Sequence, residues 1–289
     1  MSPKGRPEGE SCPKRVSAEG SPSTARRSRA GRARSRTPSP DPPAVHASNA
    51  TPAPQRAANR IGGIDSLRGL AIVAMIAYHF TFDLRYFGAV RADFENDPFW
   101  LGARVAIVSS FLLLVGVSLV LAREFNVPTA RFARRVALIA LCALAATLGS
   151  YVVFPERFIY FGILHCIAVA SVLARPLAGR PQLALALGAA AITAGLVLSH
   201  PFFDTRATSW IGFNTVKPPT EDFVPLFPWF GVVLLGIALG HGLVRRDFAP
   251  VALLAQAPKA LRWLGRHSLV VYMLHQPVLL GLLWLVLRR

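Results

Sequence analysis

The chain has 289 residues, of which 53% are hydrophobic and only 16% charged, and its mean hydropathy is positive. This composition is typical of a polytopic membrane protein and excludes an ordinary soluble domain. No phosphate-binding or dinucleotide-binding glycine motif occurs, which disfavours ATP-driven and nicotinamide-dependent chemistry. The three cysteines have neither metal-ligand spacing nor the pattern of a disulfide framework.

Residues 1–58 form a tail rich in Arg, Ser and Pro, with almost no large apolar residues. Residues 1–60 contain 12 Lys or Arg and 4 Asp or Glu, so +8 of the net charge of +17 lies in one fifth of the chain. Such a segment cannot bury a core, and we expect it to be disordered. Because the tail lacks aromatic residues and helical periodicity, attraction to anionic lipid is favoured over nucleic-acid binding.

Residues 61–289 contain seven apolar runs bounded by charge, Pro or Gly, and each predicts a membrane-spanning helix. The predicted spans are 64–86, 101–122, 133–154, 158–175, 181–200, 223–244 and 266–287. The expected fold is therefore all-α: a polytopic transmembrane helix bundle of about seven spans with a disordered N-terminal tail. With the N-terminus in the cytoplasm, the inner connections carry eleven Lys or Arg and the outer ones seven, as the positive-inside rule favours.

The first span, "DSLRGLAIVAMIAYHF", contains ionisable residues that hydrocarbon disfavours. Asp65 precedes Arg68 by three residues, and Asp83 follows His79 by four. Helical geometry places Arg68 and His79 within about 20° of the same face and about 16 Å apart along the axis. The four residues therefore form one polar stripe, and ionisable groups inside a membrane usually face a site or an aqueous path.

The stripe has a chemical interpretation and simpler alternatives. Asp83 could hold the His79 imidazole in one tautomer, and Arg68 could bind a phosphate or a polarised carbonyl. Alternatively, Asp65 and Arg68 form an interfacial ion pair, and His79 bonds to a neighbouring helix. A proton-coupled transporter or flippase would use the same groups. A scaffold would leave them unexplained.

Arg68 and His79, with ten residues between them, match the Arg-x10-His signature of the transmembrane acyltransferase superfamily. The segments "IDSLRGLAIVAMIAYHFTFDL", "YFGILHCIA", "FVPLFPWFGVVLLGIALG" and "LGRHSLVVYMLHQPVLL" resemble the bacterial branch of the heparan-alpha-glucosaminide N-acetyltransferase catalytic-domain family, over residues 61 to about 287. The resemblance implies a multi-pass enzyme of the bacterial inner membrane. It would move an acetyl group from cytosolic acetyl-CoA to an amine or hydroxyl, usually on a sugar, at the far side.

Under this resemblance, His79 is a general base or acyl carrier oriented by Asp83, and Arg68 positions acetyl-CoA or the acyl carbonyl. Acetyl-CoA is a co-substrate, and no permanently bound cofactor is expected. Other candidates are assigned by chemistry and position. Residues at the start of the last span could contact CoA phosphates, and they are Arg266, His267 and Ser268. The candidate substrate-binding residues are Asp65, His165, His275, Glu221 and Asp222.

The histidines of these later spans have two interpretations. His165 and His275 could join His79 in a central polar cluster, or each could simply bond to a backbone carbonyl. A metal site is disfavoured because the three histidines come from different helices without local ligand spacing.

Overall fold

A computed structural model describes the backbone of residues 53–287 and the side chains of residues 62–287. This part of the chain is helical and contains no strand. The helices are α1 (Ala53–Tyr86), α2 (Pro98–Glu124), α3 (Thr129–Val153), α4 (Ile163–Ala174), α5 (Pro181–Val197), α6 (Leu226–Arg245), α7 (Lys259–Arg266) and α8 (Ser268–Leu287). The seven predicted spans correspond to α1–α6 and α8, which confirms the predicted fold class. Residues 1–52 of the predicted tail lie outside the described residues, whereas 53–58 belong to α1.

The helix boundaries follow from local sequence and from one long-range pairing. Asp97 caps α2, because its Oδ1 accepts a hydrogen bond from the Phe99 amide at 2.9 Å, and Pro98 occupies the first turn. α4 begins five residues later than predicted, because the preceding segment pairs with the α5–α6 connection. In that pairing the Val224 amide donates to the carbonyl of Phe161 at 3.3 Å.

Helix length separates the spans into two groups. Within the described residues, α1, α2, α3, α6 and α8 are long and apolar enough to cross a membrane, and α4 and α5 are shorter. With 12 residues, α4 is about 18 Å long and cannot cross about 30 Å of hydrocarbon. We call the side of the bundle on which α1 begins the near side, and the side on which it ends the far side. Helices α1 to α6 alternate in direction between these sides, so α4 begins at its far-side end.

The largest buried apolar cluster joins α2, α4 and α6, where Leu112, Cys166, Leu234 and Ile237 are fully buried. α3 and α8 instead present most of their apolar surface outward, as helices that face lipid do. α7 packs along the near-side end of α1. The bundle thus places α1 between α2, α7 and α8, where its polar stripe faces other helices.

Candidate functional site

The near-side cluster is built around the carboxylate of Asp65, which is 3% exposed. Its Oδ1 accepts a hydrogen bond from Arg68 Nη1 at 3.2 Å, and its Oδ2 accepts one from Arg266 Nε at 3.1 Å. Arg68 Nη2 also donates to Ser118 Oγ of α2 at 2.6 Å. Gly265 allows α7 to lie close to α1, because a Cβ atom at this position would be 1.8 Å from the Asp65 carbonyl oxygen. One carboxylate thus faces two guanidinium groups.

Two further arginines increase the positive charge near this cluster. Arg135 of α3 lies within electrostatic range of Arg68. Arg262 of α7 has a buried Nε atom with no hydrogen-bond partner among the described residues. The near side therefore combines guanidinium groups with unused donor capacity, which suits binding of a polyanion.

The other two residues predicted at this side, His267 and Ser268, do not share the contact that Arg266 makes with Asp65. His267 stacks on Trp263 with 4.5 Å between ring centroids, and its Nδ1 donates to the Trp263 carbonyl at 3.0 Å. Ser268 begins α8. Of the three residues predicted at the start of the last span, Arg266 is the one bonded to Asp65.

The central cluster lies between α1 and α8. The rings of His79 and His275 are 4.9 Å apart between centroids. His275 Nδ1 bonds to the Tyr272 carbonyl at 2.5 Å, and Gln276 Nε2 donates to Asp83 Oδ1 at 2.8 Å. The structure therefore brings together two of the predicted histidines and Asp83, and it adds two residues of α8.

Three buried polar atoms of this cluster have no partner among the described residues: Asp83 Oδ2, His275 Nε2 and Gln276 Oε1. A carbonyl oxygen can only accept, so His275 Nδ1 carries the hydrogen and Nε2 of the neutral ring is left as an acceptor. Buried polar atoms are normally paired, so three unpaired acceptors indicate a place for water or for a ligand that donates hydrogen bonds.

The predicted contact between Asp83 and His79 is not present in the described part of the chain. Asp83 is 1% exposed, and its bonded oxygen is directed across the helix interface to Gln276. The i,i+4 spacing places both side chains on one face of α1, but the amide on α8 is the partner that reaches the carboxylate. The catalytic roles of Arg68, His79 and Asp83 stay predictions.

His165 has a different environment from His79 and His275. Its Nδ1 accepts a hydrogen bond from the Gly162 amide at 3.1 Å, and its Nε2 lies 3.2 Å from Thr147 Oγ1. The Thr147 hydroxyl donates in turn to the Ile159 carbonyl at 2.7 Å. Because both ring nitrogens are occupied, these contacts favour the structural interpretation of His165, in which it fixes the start of α4 against α3.

The adjacent acidic residues at the far side point to different places. Asp222 Oδ2 accepts a hydrogen bond from the Ile163 amide at 3.0 Å, and the Tyr272 hydroxyl also bonds to this carboxylate. Burial raises the pKa of Asp222 above its ordinary value. Glu221 instead forms an ion pair with Arg157 at 3.1 Å. Asp222 is thus connected through Tyr272 to the central cluster, since the Tyr272 and His275 rings are 5.5 Å apart.

Several residues of these clusters are not among the candidates named from the sequence. Gln276, Tyr272 and Ser118 each supply a contact described above, and each is a polar residue within an apolar span. That property is a usable signal, because a polar side chain inside a membrane helix normally has a bonding partner. Spacing along one helix could not reveal them, because they come from α2 and α8 whereas the polar stripe lies on α1.

The described part of the chain is a polytopic helical bundle with a cationic cluster on one side and a buried polar cluster farther along α1. A family model described as "Heparan-alpha-glucosaminide N-acetyltransferase, catalytic" matches residues 60–277. The chain therefore belongs to this family of membrane acetyltransferases, which confirms the resemblance seen in its motifs. Searches of curated proteins and of solved structures give no match.

Proposed function

We propose that the protein transfers an acetyl group from cytosolic acetyl-CoA to an amino or hydroxyl group, most often one on a sugar, at the far side of the membrane. The observation that carries this proposal is the pair of clusters on α1. A cationic cluster at Arg68 and an acid–base cluster at His79 lie on one helix face, about 16 Å apart along its axis. The cationic cluster lies toward the near side and the acid–base cluster farther along α1. This order suits a donor that binds from the near side and an acceptor that enters from the far side.

The near-side cluster supplies the binding energy for the donor. The phosphate groups of CoA are anionic, and arginine binds phosphate through paired, charge-assisted hydrogen bonds. Arg68 and Arg266 share a single carboxylate, so each retains donors for a ligand. In this proposal His267 and Ser268 lie beside the phosphates at the start of α8.

The central cluster supplies the proton transfer. The acceptor nitrogen or oxygen attacks the thioester carbonyl carbon, the C–S bond breaks, and the departing sulfur leaves as CoA thiolate. The proton lost by the acceptor passes to the His79 imidazole, and His275 can take it on through its unpaired Nε2. In the covalent alternative, the His79 nitrogen first takes the acetyl group and then passes it to the acceptor.

The test is calorimetric titration of the purified full chain with acetyl-CoA, followed by measurement of thiol release with a panel of amino sugars and small amines. Arg68→Ala should weaken acetyl-CoA binding by about tenfold or more, as expected for loss of a charged hydrogen-bonding group. His79→Gln should bind acetyl-CoA but transfer about 10²–10⁴-fold more slowly. The matched control is His241→Gln, because His241 bonds to the Ala178 carbonyl and not to the cluster.

The outcomes separate the candidate functions. Saturable binding that depends on Arg68, with transfer that depends on His79, supports the enzyme. Absence of acetyl-CoA binding by folded wild-type protein contradicts it, and the polar stripe would then be better explained as the proton path of a transporter. Acid quenching of the reaction tests the covalent route, which predicts acetylated His79.

The proposed orientation places the near side and the N-terminus in the cytoplasm of a bacterial inner membrane. Lys259 is exposed at the near side, and Pro219 is exposed at the far side. In a chain with its three cysteines replaced, a membrane-impermeant maleimide added to intact spheroplasts should label Pro219→Cys and spare Lys259→Cys. The reverse pattern contradicts the orientation.

A further inference from the structure

Arg104 lies in the span formed by α2 and has no bonded partner among the described residues. It lies on α2 six residues after Pro98, about 9 Å from the far-side end of the helix, and its side chain is half-buried. It forms no hydrogen bond and no ion pair with any described residue. An arginine this close to a helix end can extend its guanidinium to the interface, where it is available to an anionic ligand.

The surroundings of Arg104 place it at the far-side edge of the candidate site. Arg104 interacts electrostatically with Asp222, Lys217 and Tyr78. Tyr78 packs edge-on against His79, with ring centroids 5.8 Å apart. A group bound at Arg104 would therefore lie on the same side of the bundle as Tyr78, the neighbour of His79.

The local acids neutralise Arg104 and Lys217 only in part. Glu95 and Glu221 attract Lys217, but Glu221 is paired with Arg157, and Asp222 bonds to a backbone amide and to a tyrosine hydroxyl. Lys217 is exposed at the surface, but partial desolvation and the repulsion from Arg104 still lower its pKa. Two cations within electrostatic range of each other repel, and an anion placed between them would relieve that repulsion.

A cavity of about 230 Å³ adjoins Lys217. Its wall includes the rings of Phe213, Phe223 and Phe227, together with Asn214 and Lys217. Apolar and aromatic surface with a few polar groups is typical of a small-ligand site. The volume lies just below the range of roughly 300–1,000 Å³ for drug-sized ligands, so the cavity suits a body of monosaccharide size.

We propose that Arg104 and Lys217 form an anion subsite, which binds a phosphate or carboxylate group of the acceptor substrate while the body of the acceptor occupies the adjoining cavity. The statement that the anion belongs to the acceptor rests on the proposed acetyltransferase function. The presence of an anion site does not depend on that function. The anion site and the acetyltransferase function can therefore be disproved separately.

The first test uses inorganic phosphate as the probe, with the full chain in phosphatidylcholine nanodiscs at constant ionic strength. Thermal stability is followed against phosphate concentration with CoA saturating, and again in the Arg68→Ala background, so that the near-side cluster does not contribute. Arg104→Gln should raise the half-saturating phosphate concentration by about tenfold or more, and Lys217→Gln should raise it less. Arg91→Gln is the matched control, because Arg91 is an exposed far-side arginine.

The second test compares acetyl transfer to glucosamine 6-phosphate and to glucosamine. Wild-type protein should prefer the phosphorylated sugar in kcat/KM, and Arg104→Gln should lose that preference mainly through KM. An unchanged preference in Arg104→Gln overturns the acceptor assignment.

The remaining outcomes also decide the proposal. Stabilisation by phosphate that depends on Arg104 supports the anion site even if no acetyl transfer is found. No stabilisation, or equal stabilisation of wild type and Arg104→Gln, overturns it. If phosphatidylglycerol nanodiscs stabilise the protein through Arg104 while inorganic phosphate does not, the ligand is a lipid headgroup and the acceptor proposal is wrong.

Discussion

Replacing Asp65 by alanine should destabilise the protein far more than replacing its exposed partner Arg266. Asp65 pairs with two arginines that differ in environment. The Arg68 side chain is 22% exposed, whereas the Arg266 side chain is 59% exposed. Removing the carboxylate leaves the Arg68 guanidinium without its counter-charge inside the bundle, whereas Arg266 can turn toward water.

The magnitudes follow from this difference. Removing one partner of a buried ion pair costs about 3–5 kcal/mol, and an exposed pair contributes about 0–1 kcal/mol. Because Arg68 is partly exposed and also bonds to Ser118, we take the lower limit and expect Asp65→Ala to cost about 3 kcal/mol. Arg266→Ala should cost less than about 1 kcal/mol. At roughly 2–4 °C per kcal/mol for a chain of this size, Asp65→Ala lowers Tm by about 6–12 °C.

The assay is thermal unfolding in one detergent, followed by tryptophan fluorescence, with the exposed near-side Arg245→Ala as control. The double variant Asp65→Ala with Arg68→Ala should recover part of the lost stability, because no uncompensated charge remains. Equal losses of Tm in Asp65→Ala and Arg266→Ala would refute the reasoning, as would a double variant less stable than Asp65→Ala.

Three further changes test the central and far-side contacts. Gln276→Leu removes the hydrogen-bond donor to Asp83. We expect acetyl transfer to be about 10–100-fold slower, as for loss of a hydrogen bond to a charged group. An unchanged kcat would contradict a role for this contact. Thr147→Val removes the hydrogen-bond partner of His165 Nε2. The free energy of unfolding should fall by about 1–3 kcal/mol, and kcat should not change. A loss of kcat without a loss of stability would argue against a structural role for His165. Burial raises the pKa of Asp222, so the folded protein holds this proton more tightly than the unfolded chain does. Stability should therefore fall as pH rises from near 3.8 through the folded pKa, and Asp222→Asn should flatten Tm against pH in that window.

The spans could be predicted because membrane helices are long and apolar, and hydropathy alone locates them. The start of α4 could not, because residues before Ile163 pair with a segment about sixty positions later in the chain. The last span was predicted to begin at residue 266, and α8 begins two residues later at Ser268. The contact of Gly265 with the Asp65 backbone could not be predicted, because it leaves no periodic signal in the sequence.

The candidate site was predictable to the extent that it lies on one helix. The stripe from Asp65 to Asp83 follows from spacing alone. Its partners do not, because a helix surrounded by lipid is apolar on most faces and its sequence does not show which face meets a neighbour. Gln276 and Arg104 are visible as polar residues in apolar spans, but their places in the site depend on how α8 and α2 pack near α1.

Polar contacts at both ends of the α1–α8 interface have a consequence for stability as well as for chemistry. Lipid provides no hydrophobic driving force between helices, so packing and hydrogen bonds must hold α8 in place. α8 has little buried surface, and its region is joined to α1 by Arg266 to Asp65 at the near side and by Gln276 to Asp83 farther along. The histidine pair lies on the same interface. Gln276 follows His275 directly in α8, so its contact with Asp83 also sets the separation of the two imidazoles, and Gln276→Leu should change transfer and stability together.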